Sequence, residues 1–322
     1  MVQLFGRLAI TILLVAAPFG ARAQQTSAEP LPDLPGLTEY APAKPGGRVA
    51  DGVESGIRLS ARLTESSPEL KGGLVWRIFS PNPAADGKLP VVATAQGGSV
   101  EFAIEPGQYL VHAAFGRAGA TKRITIGKGV SNDLLVLDAG GIRLGAAAPD
   151  GKPIASSQLR FSVYDSEEDR NGDRRLIIPD VPADAIIRLH AGNYHIVSNY
   201  GNANATIRAD LVVEAGKLTN AVLQHRAAEV TLKLAREAGG EALADTSWAV
   251  LTSAGDTVRE FAGAFASLVL SEGQYTVVAR NRDKLYQRDF EVTAGRNETF
   301  EVLASEASGV QPDTSTPVPV SD

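Results

Sequence analysis

The stretch EPGQYLVHA (105–113) has two counterparts further along the chain, HAGNYHIVS (190–198) and SEGQYTVVA (271–279). In each copy a Gly-x-Tyr element leads into a run of alternating apolar residues, which is typical of a strand with one buried face. The tyrosines are 85 and then 81 residues apart: Tyr109, Tyr194 and Tyr275. Because self-similarity at a fixed period indicates duplicated structural units, the sequence predicts three modules of similar fold.

Other landmarks follow the same spacing. A large aromatic residue precedes the tyrosine by 33 positions in the first two copies and by 27 in the third: Trp76, Phe161 and Trp248. A unit of ~80 residues with six or seven short strands fits a small β-sandwich, whose two sheets pack ~10 Å apart. We expect the large aromatic residue to fill the centre of each core. We expect each tyrosine to bury its ring while its hydroxyl keeps a backbone partner.

The predicted fold class is therefore all-β, with three tandem Ig-like or prealbumin-like antiparallel β-sandwich modules at 52–138, 139–224 and 225–304. The segment 226–244 contains good helix formers, but its alignment with the opening strands of the other copies predicts a strand over its first half. Residues 24–51 are rich in Pro and Gly and predict a linker. Residues 305–322 contain few large apolar side chains and predict a disordered tail.

The N-terminus has the pattern of an export signal. Arg7 precedes the apolar run LAITILLVAAPF (8–19), which is short for a membrane-spanning helix of ~20 residues. Small residues at Ala21 and Ala23 predict cleavage before Gln24, so that 1–23 is a signal peptide; an uncleaved anchor is the alternative. The absence of cysteine excludes disulfides and thiolate sites. These features predict a periplasmic protein with no transmembrane anchor after cleavage.

The composition argues against several functional classes. The chain has 31 basic and 37 acidic residues, a net charge of −6, and therefore no cationic excess for nucleic acid. It contains neither a G-x-S-x-G nucleophile elbow nor a phosphate-binding G-x-x-x-x-G-K-[ST] motif. We therefore predict that it is not an enzyme and that it has no catalytic residues, no cofactor and no metal site.

The densest polar cluster lies at 165–173, with the sequence DSEEDRNGD. Glu167, Asp169 and Asn171 approach the alternate spacing of a calcium-binding loop. However, Ile178 occupies the position where a bidentate glutamate belongs, and arginines lie beside the acids. The sequence favours a solvated hairpin with an Asn-Gly turn and leaves calcium binding open.

The four histidines do not form a repeated pattern. His112 and His195 lie three and one residues after their tyrosines, so that strand alternation places them on opposite faces. His190 and His195 are separated by a glycine turn, and His225 lies near a module boundary. Because metal ligands cluster, we expect these residues to have structural roles.

Exposed aromatic rings are the usual platform for stacking on sugars, and aromatic residues make up only 6% of the chain. Phe115-Gly116 and Tyr200-Gly201 occupy matching places after the first two Gly-x-Tyr strands, whereas the third copy has Asn281-Arg282. Matching places favour a packing role. Tyr200 and Tyr286 are the candidates for stacking on a glycan.

The Gly-x-Tyr-x-Val element resembles a known family pattern when it is combined with an aromatic strand before it and a Val-x-Ala-Gly turn after it. It is similar to the carboxypeptidase regulatory-like, or prealbumin-like, modules of bacterial envelope proteins. It also looks like pilin-type Cna-B modules. The resemblance covers 52–304 and implies a spacer, stabilising or adhesion role without catalysis.

The predicted function is that of a noncatalytic scaffold or protein-interaction protein whose partner is another envelope protein. Sandwich edges offer unpaired strands to such a partner. The first alternative is a carbohydrate- or peptidoglycan-binding protein, for which glycan is the partner. The second alternative is an enzyme with an unrecognised site.

Overall fold

A computed structural model describes residues 24–30 and 55–304 of the chain, and side chains from residue 55 onward. These residues form 22 strands and one short 3₁₀ turn at Ser156–Gln158. The strands belong to six sheets, two in each of three modules, which confirms the predicted fold class. The predicted signal peptide at 1–23 and the predicted tail at 305–322 lie outside the described residues.

Module 1 follows the first described strand, β1 (Gln24–Pro30), and contains seven strands. Their order is β5-β2-β8 in one sheet and β4-β3-β6-β7 in the other. Their bounds are β2 (Ser55–Arg62), β3 (Leu74–Phe79), β4 (Val91–Gly97), β5 (Val100–Ala103), β6 (Gly107–Phe115), β7 (Ala118–Ile126) and β8 (Gly129–Val136).

Module 2 repeats this arrangement. Its sheets have the orders β1-β15-β9-β12 and β11-β10-β13-β14, so that β1 adds a fourth strand to the first of them. The bounds are β9 (Ala139–Ala147), β10 (Leu159–Glu168), β11 (Arg174–Pro182), β12 (Ile186–His190), β13 (Gly192–Tyr200), β14 (Thr206–Val213) and β15 (Lys217–Gln224).

Module 3 has sheets with the orders β19-β16-β22 and β18-β17-β20-β21. Its first strand replaces the alternative helix at 226–244, as the alignment of the three copies predicts. The bounds are β16 (Ala227–Ala235), β17 (Thr246–Thr252), β18 (Thr257–Ala262), β19 (Phe265–Ser271), β20 (Gly273–Asn281), β21 (Lys284–Val292) and β22 (Glu298–Leu303).

The first and last strands of each module pair in parallel, whereas all other strand pairs are antiparallel. The parallel pairs are β2 with β8, β9 with β15 and β16 with β22. A parallel pair places the start of the first strand and the end of the last strand at opposite ends of the ladder. The chain therefore enters each module at one end and leaves it at the other.

The large aromatic landmarks lie in the cores. Trp76 and Phe161 are 0% exposed and Trp248 is 2% exposed, each within the apolar cluster between its two sheets. The indole N–H of Trp76 donates to the Gly98 carbonyl at 3.0 Å, and that of Trp248 donates to the Gly263 carbonyl at 2.8 Å. Each buried indole thereby avoids the cost of an unpaired donor.

The three repeated tyrosines each make the same kind of hydrogen bond. Each hydroxyl donates to the backbone carbonyl four residues earlier: Tyr109 to Glu105 (3.1 Å), Tyr194 to His190 (3.1 Å) and Tyr275 to Ser271 (2.9 Å). This bond fixes the loop before each Gly-x-Tyr strand to the start of that strand. This is the backbone partner predicted for each tyrosine from the sequence.

Strand β1 lies within the segment predicted as a linker. It runs antiparallel to β15, with Gln24 opposite Val222 and Pro30 opposite Lys217. The linker prediction is thus corrected for these seven residues. Sequence periodicity could not indicate this strand, because its pairing comes from the backbone of a free sheet edge rather than from an apolar face. Residues 31–54 lie outside the described part of the chain.

Candidate interaction surface

The contact between modules 1 and 2 forms around the turn after β6. The Phe115 ring lies under the guanidinium of Arg188, which is 4.5 Å from the ring centroid. The backbone N–H of Arg117 donates to the Arg188 carbonyl at 3.0 Å, and that of Gly119 donates to Nε2 of His190 at 3.1 Å. A Cβ on Gly116 would lie 2.8 Å from the Arg188 Cβ. The turn therefore packs closely on β12 of the next module, and a side chain in place of Gly116 would collide with Arg188.

The contact between modules 2 and 3 forms around the turn after β13. A Cβ on Gly201 would lie 2.7 Å from the Val269 Cβ, and Val269 belongs to the same buried cluster as Tyr200. Asn204 links the modules further: its Oδ1 accepts from the Ser271 N–H at 3.1 Å, and its Nδ2 donates to the Tyr275 hydroxyl at 2.8 Å. This turn therefore rests on β19 as the first turn rests on β12.

The two contacts use the same positions of the repeat. In each turn the close-packed glycine lies seven residues after the tyrosine of its own module: Gly116 and Gly201. A second contact residue lies ten residues after that tyrosine: Gly119 and Asn204. On the following module the partner of the glycine lies six residues before the tyrosine of that module: Arg188 and Val269. The partner of the second contact residue lies four residues before that tyrosine: His190 and Ser271. We call the first set the junction turn and the second set the acceptor strand. Both junctions are therefore one repeated interface.

The ends of the described array leave one half of this interface uncovered at each side. In module 1 the two partner positions are Ala103, the last residue of β5, and Glu105, two residues after the strand; both residues are exposed. In module 3 the junction turn contains Arg282 and Leu285, which are also exposed. Arg282 adopts φ +56°, close to the +67° of Gly116. The third turn keeps the left-handed backbone of the first one, although this backbone favours glycine.

A buried histidine lies beside the second junction. His225 is 1% exposed, and its Nε2 is 2.9 Å from the Ser198 hydroxyl oxygen. The Tyr200 ring meets the imidazole edge to face at 5.7 Å. Among the described residues the Nδ1 of His225 has no hydrogen-bond partner. Burial lowers the pKa of His225 to about 4, because a charged imidazole would lose its hydration there.

A cleft of about 360 Å³ also lies at the second junction. Its walls come from both modules and include Arg160, Gly201, Asn202 and Glu229. The guanidinium of Arg160 donates to the carbonyl of Leu159 at 2.7 Å, so that this cation has a partner within its own module. The cleft lies between two packed modules, and its walls are both polar and apolar.

Of the remaining histidines, His112 and His190 both lie beside Gly119 at the first junction, whereas His195 lies within module 2. His195 lies 2.7 Å from the Asp210 carboxylate and His112 lies 2.9 Å from the Thr121 hydroxyl. His190 reaches across the first junction, and burial together with the charges of Arg77 and His190 lowers the pKa of His112. No group of three or more potential metal-binding side chains occurs in the described part of the chain.

The acidic segment 165–173 forms the end of the β10–β11 hairpin. Asp165 pairs with Arg175 and Glu168 pairs with Arg174, each at 2.9 Å. The Asp169 carboxylate accepts from the backbone N–H of Asn171 at 2.8 Å and thereby caps the turn. The pKa of Asp165 is lowered, first by its hydrogen bond with Arg175. Calcium binding here stays an untested hypothesis, and calcium would have to displace these arginines.

The two candidate glycan-stacking tyrosines are buried. Tyr200 is 8% exposed and packs at the second junction, and Tyr286 is 6% exposed within the module 3 core. A sugar could stack on either ring only if the ring left its packing. The spacing of Tyr200-Gly201 and Phe115-Gly116 in the sequence indicated packing, but the partner lay in the next module. The residue that each ring's turn contacts differs in type between the two junctions, so the repeated sequence did not indicate it.

The described residues contain no helix of the length and apolarity needed to cross a membrane.

Comparison with protein families matches residues 229–304, which make up most of module 3, to the Rhizobiales growth-associated tandem repeat domain. No curated protein sequence matches the chain. The resemblance to carboxypeptidase regulatory-like modules is not tested by these findings and stays a prediction.

Several solved structures of bacterial proteins are similar to the chain. The TIE protein of Bacillus anthracis is 14% identical, with 78% of this chain and 50% of that chain covered and a TM-score of 0.23. The major pilin subunit of Bacillus cereus is 10% identical over 78% of this chain and 99% of that chain, with a TM-score of 0.22. A streptococcal ancillary pilin is 9% identical over 78% and 98%, with a TM-score of 0.32.

Proposed function

We propose that this protein is a noncatalytic interaction scaffold of the bacterial cell envelope, exported to the periplasm, where it holds another envelope protein. The observation that carries the proposal is the repeated junction. Two turns of different sequence pack on two strands of different sequence at the same repeat positions, so that what recurs is the placement of one module against the next. The modules repeat their placement against one another but do not repeat a polar cluster. Such a chain is suited to hold binding surfaces at fixed distances from one another.

The nature of the matched repeat supports a more specific role. The matched family is described as growth-associated, and we propose that the partner belongs to the machinery that enlarges the envelope. The export-like N-terminus supports the periplasm as the compartment. The partner would be bound through module surfaces and sheet edges, which supply backbone hydrogen bonds and exposed apolar residues such as Val91 and Val212.

Crosslinking in intact cells tests this proposal. The tagged full-length protein is crosslinked in growing cells and purified, and the attached peptides are identified. We expect one envelope protein to be recovered near stoichiometry, with crosslinks confined to one module or edge. Recovery of no protein above the level found with an untagged strain would overturn the scaffold role. Sedimentation of the purified protein together with peptidoglycan would favour the glycan alternative.

A further inference from the structure

One hydrogen bond of the first junction requires an uncharged histidine. The backbone N–H of Gly119 in module 1 donates to Nε2 of His190 in module 2 at 3.1 Å. An imidazole that accepts at Nε2 carries its proton on Nδ1, and in the imidazolium form both nitrogens are donors. The bond is therefore lost when His190 takes up a proton. Imidazoles in water do this as the pH falls through about 6.5, so the contact is present above that pH and weakens below it.

A second histidine lies against the same glycine. A Cβ on Gly119 would lie 2.9 Å from Cε1 and 3.2 Å from Nε2 of His112, and Nδ1 of His112 is 2.9 Å from the Thr121 hydroxyl oxygen. Burial, followed by the charges of Arg77 and His190, lowers the pKa of His112. The two imidazoles are thus close enough that a charge on one disfavours a charge on the other.

The elements that meet at this junction carry more cations than acids. Four arginines lie on them: Arg77 on β3, Arg117 in the junction turn, Arg123 on β7 and Arg188 on β12. No carboxylate of the described segments forms an ion pair with any of the four. The acids on the neighbouring segments are Asp138, which also lacks an ion pair there, and Glu214, which pairs with Lys217 at 2.7 Å. Lys122 of β7 pairs with Asp133 at 2.6 Å. A proton on His190 therefore adds a cation where no acid compensates it.

The other contacts of the first junction do not change between pH 7.5 and pH 5.5. The guanidinium of Arg188 over the Phe115 ring stays charged, and the bond from the Arg117 N–H to the Arg188 carbonyl involves only backbone. The hydroxyl of Tyr194, which donates to the His190 carbonyl, has a raised pKa and stays neutral. Acid therefore acts on this junction through its histidines alone, and it weakens the contact without removing it.

We propose that the first junction is an acid-sensitive joint: protonation of His190 breaks its bond to Gly119 and increases the fraction of molecules in which module 1 has moved away from module 2. The segment between β8 and β9 supplies a pivot, because it consists of Leu137 and Asp138 only, and Asp138 has φ +47°. This inference goes beyond the proposed scaffold role. It makes the distance between two module surfaces depend on the acidity of the medium.

The second junction should not respond in the same pH range. Its cross-module contacts come from Asn204 and Val269, which do not titrate. His225, the histidine beside it, has a pKa of about 4 and stays mostly neutral at pH 5.5 in the folded chain. The same molecule therefore contains a junction that should loosen and one that should not.

Energy transfer between two dyes on the purified protein tests the proposal, since the chain has no cysteine of its own. Val92→Cys with Val212→Cys places exposed labels on modules 1 and 2, and Val212→Cys with Phe265→Cys places them on modules 2 and 3. From pH 7.5 to pH 5.5 at constant ionic strength, the population with altered transfer should rise on the order of fivefold for the first pair, as expected for the loss of one hydrogen bond. An unchanged first pair, or an equal rise in both pairs, would overturn the proposal.

Substitutions at His190 separate the bond from a general effect of acid. His190→Gln supplies a neutral side chain with an acceptor oxygen and should remove the pH response. His190→Lys is charged at both pH values, so it should show the population of the acid form already at pH 7.5. His195→Gln is the matched control, because His195 lies within module 2 beside Asp210 and should leave the response unchanged. A wild-type response in His190→Gln would contradict the proposal, and His190→Lys decides the outcome if that variant does not fold.

The neighbouring histidine needs its own variant. His112→Gln removes the second titrating group but leaves the bond between Gly119 and His190, so the response should persist with a smaller amplitude. Complete loss of the response in His112→Gln would assign the effect to the wrong imidazole and overturn the proposal. These measurements use the purified chain alone, so a failure of the proposed scaffold role in cells leaves their outcome unchanged.

Discussion

At both junctions of this chain a turn packs on the same strand of the next module, but different side-chain contacts hold it there. At the first junction the Phe115 ring packs under the guanidinium of Arg188, and His190 accepts a backbone hydrogen bond. At the second junction Gly201 packs on Val269, and Asn204 supplies the cross-module hydrogen bonds. The difference shows that the placement depends on a compact left-handed turn and a matching strand. The side chains around this contact adjust how firmly it holds and how it responds to pH.

The largest expected effect comes from filling the glycine of the second junction. Gly201→Ala adds a Cβ only 2.7 Å from the Val269 Cβ at φ +70°. We expect the loss of about 2–4 kcal/mol of stability from backbone strain and overpacking. Urea unfolding followed by Trp248 fluorescence in a Trp76→Phe background measures it.

Gly239→Ala is the matched control for this prediction. Gly239 has φ +76° but no atom within 4 Å of an added Cβ, so it should cost only about 1–2 kcal/mol for the backbone. Equal losses at the two positions would show that the module contact contributes nothing.

The second prediction concerns the effect of pH on the second junction. His225 has a folded pKa of about 4 and an ordinary value of 6.5, so that the unfolded chain binds the proton more readily. The stability is fully present above pH 6.5 and falls as the pH drops toward 4, by up to about 3 kcal/mol from this group. His225→Phe should flatten the difference between unfolding at pH 7 and at pH 4.5.

Other titrating groups also change the stability with pH, so the variant must be compared with wild type. His112 also has a lowered pKa and contributes with the same sign in every variant, so only the difference from wild type is informative. An identical acid response in His225→Phe and wild type would contradict the assignment. Trp248 reports the unfolding of module 3, which begins next to His225, whereas Trp76 lies in the core of module 1 and should not follow the change.

A smaller effect is expected at Asn204. Asn204→Ala removes the side-chain bonds to the Ser271 N–H and the Tyr275 hydroxyl, while the Asn204 carbonyl still accepts from the Ser271 hydroxyl at 2.9 Å. We expect about 1–2 kcal/mol of lost stability. Limited proteolysis should then cut the chain between modules 2 and 3 more readily, and Asn202→Ala, which keeps its carbonyl contact to Arg259, should not show this.

The smallest effect is expected at the first junction. Arg188 is 7% exposed, and within the described residues its Nε lacks a hydrogen-bond partner, so the cation–π contact with Phe115 is offset by desolvation. Arg188→Met keeps the packing over the ring and should change stability by less than about 1 kcal/mol. A loss of several kcal/mol in thermal unfolding of this variant would mean that the charge itself holds the junction.

The sequence was sufficient for the modules and insufficient for their contacts. The Gly-x-Tyr elements, the central aromatic residues and the strand after Arg226 could be predicted, because alternation and repetition record which face is buried. Tyr200 shows the limit. Its position in the repeat predicted packing, but the same residue type suits a sugar platform, and only the fold shows Val269 beside it.

Features that depend on a second segment were also missed. Arg188 and Val269 share a place in the repeat but not a chemical class, so no pattern links them to their glycines. Strand β1 contains no large apolar residue, and its pairing depends on the free edge of β15. The proximity of His190 to Gly119 likewise arises only when two modules meet.

The parallel pairing of the first and last strands has a mechanical consequence. Tension applied between the two ends of module 1 enters at the start of β2 and leaves at the end of β8, which lie at opposite ends of their shared ladder. Pulling therefore shears the ladder and strains its hydrogen bonds together, whereas an antiparallel pair would open one bond at a time. Modules 2 and 3 have the same arrangement. Because resistance to force depends on the unfolding rate rather than on equilibrium stability, this pairing should slow the unfolding of each module under tension.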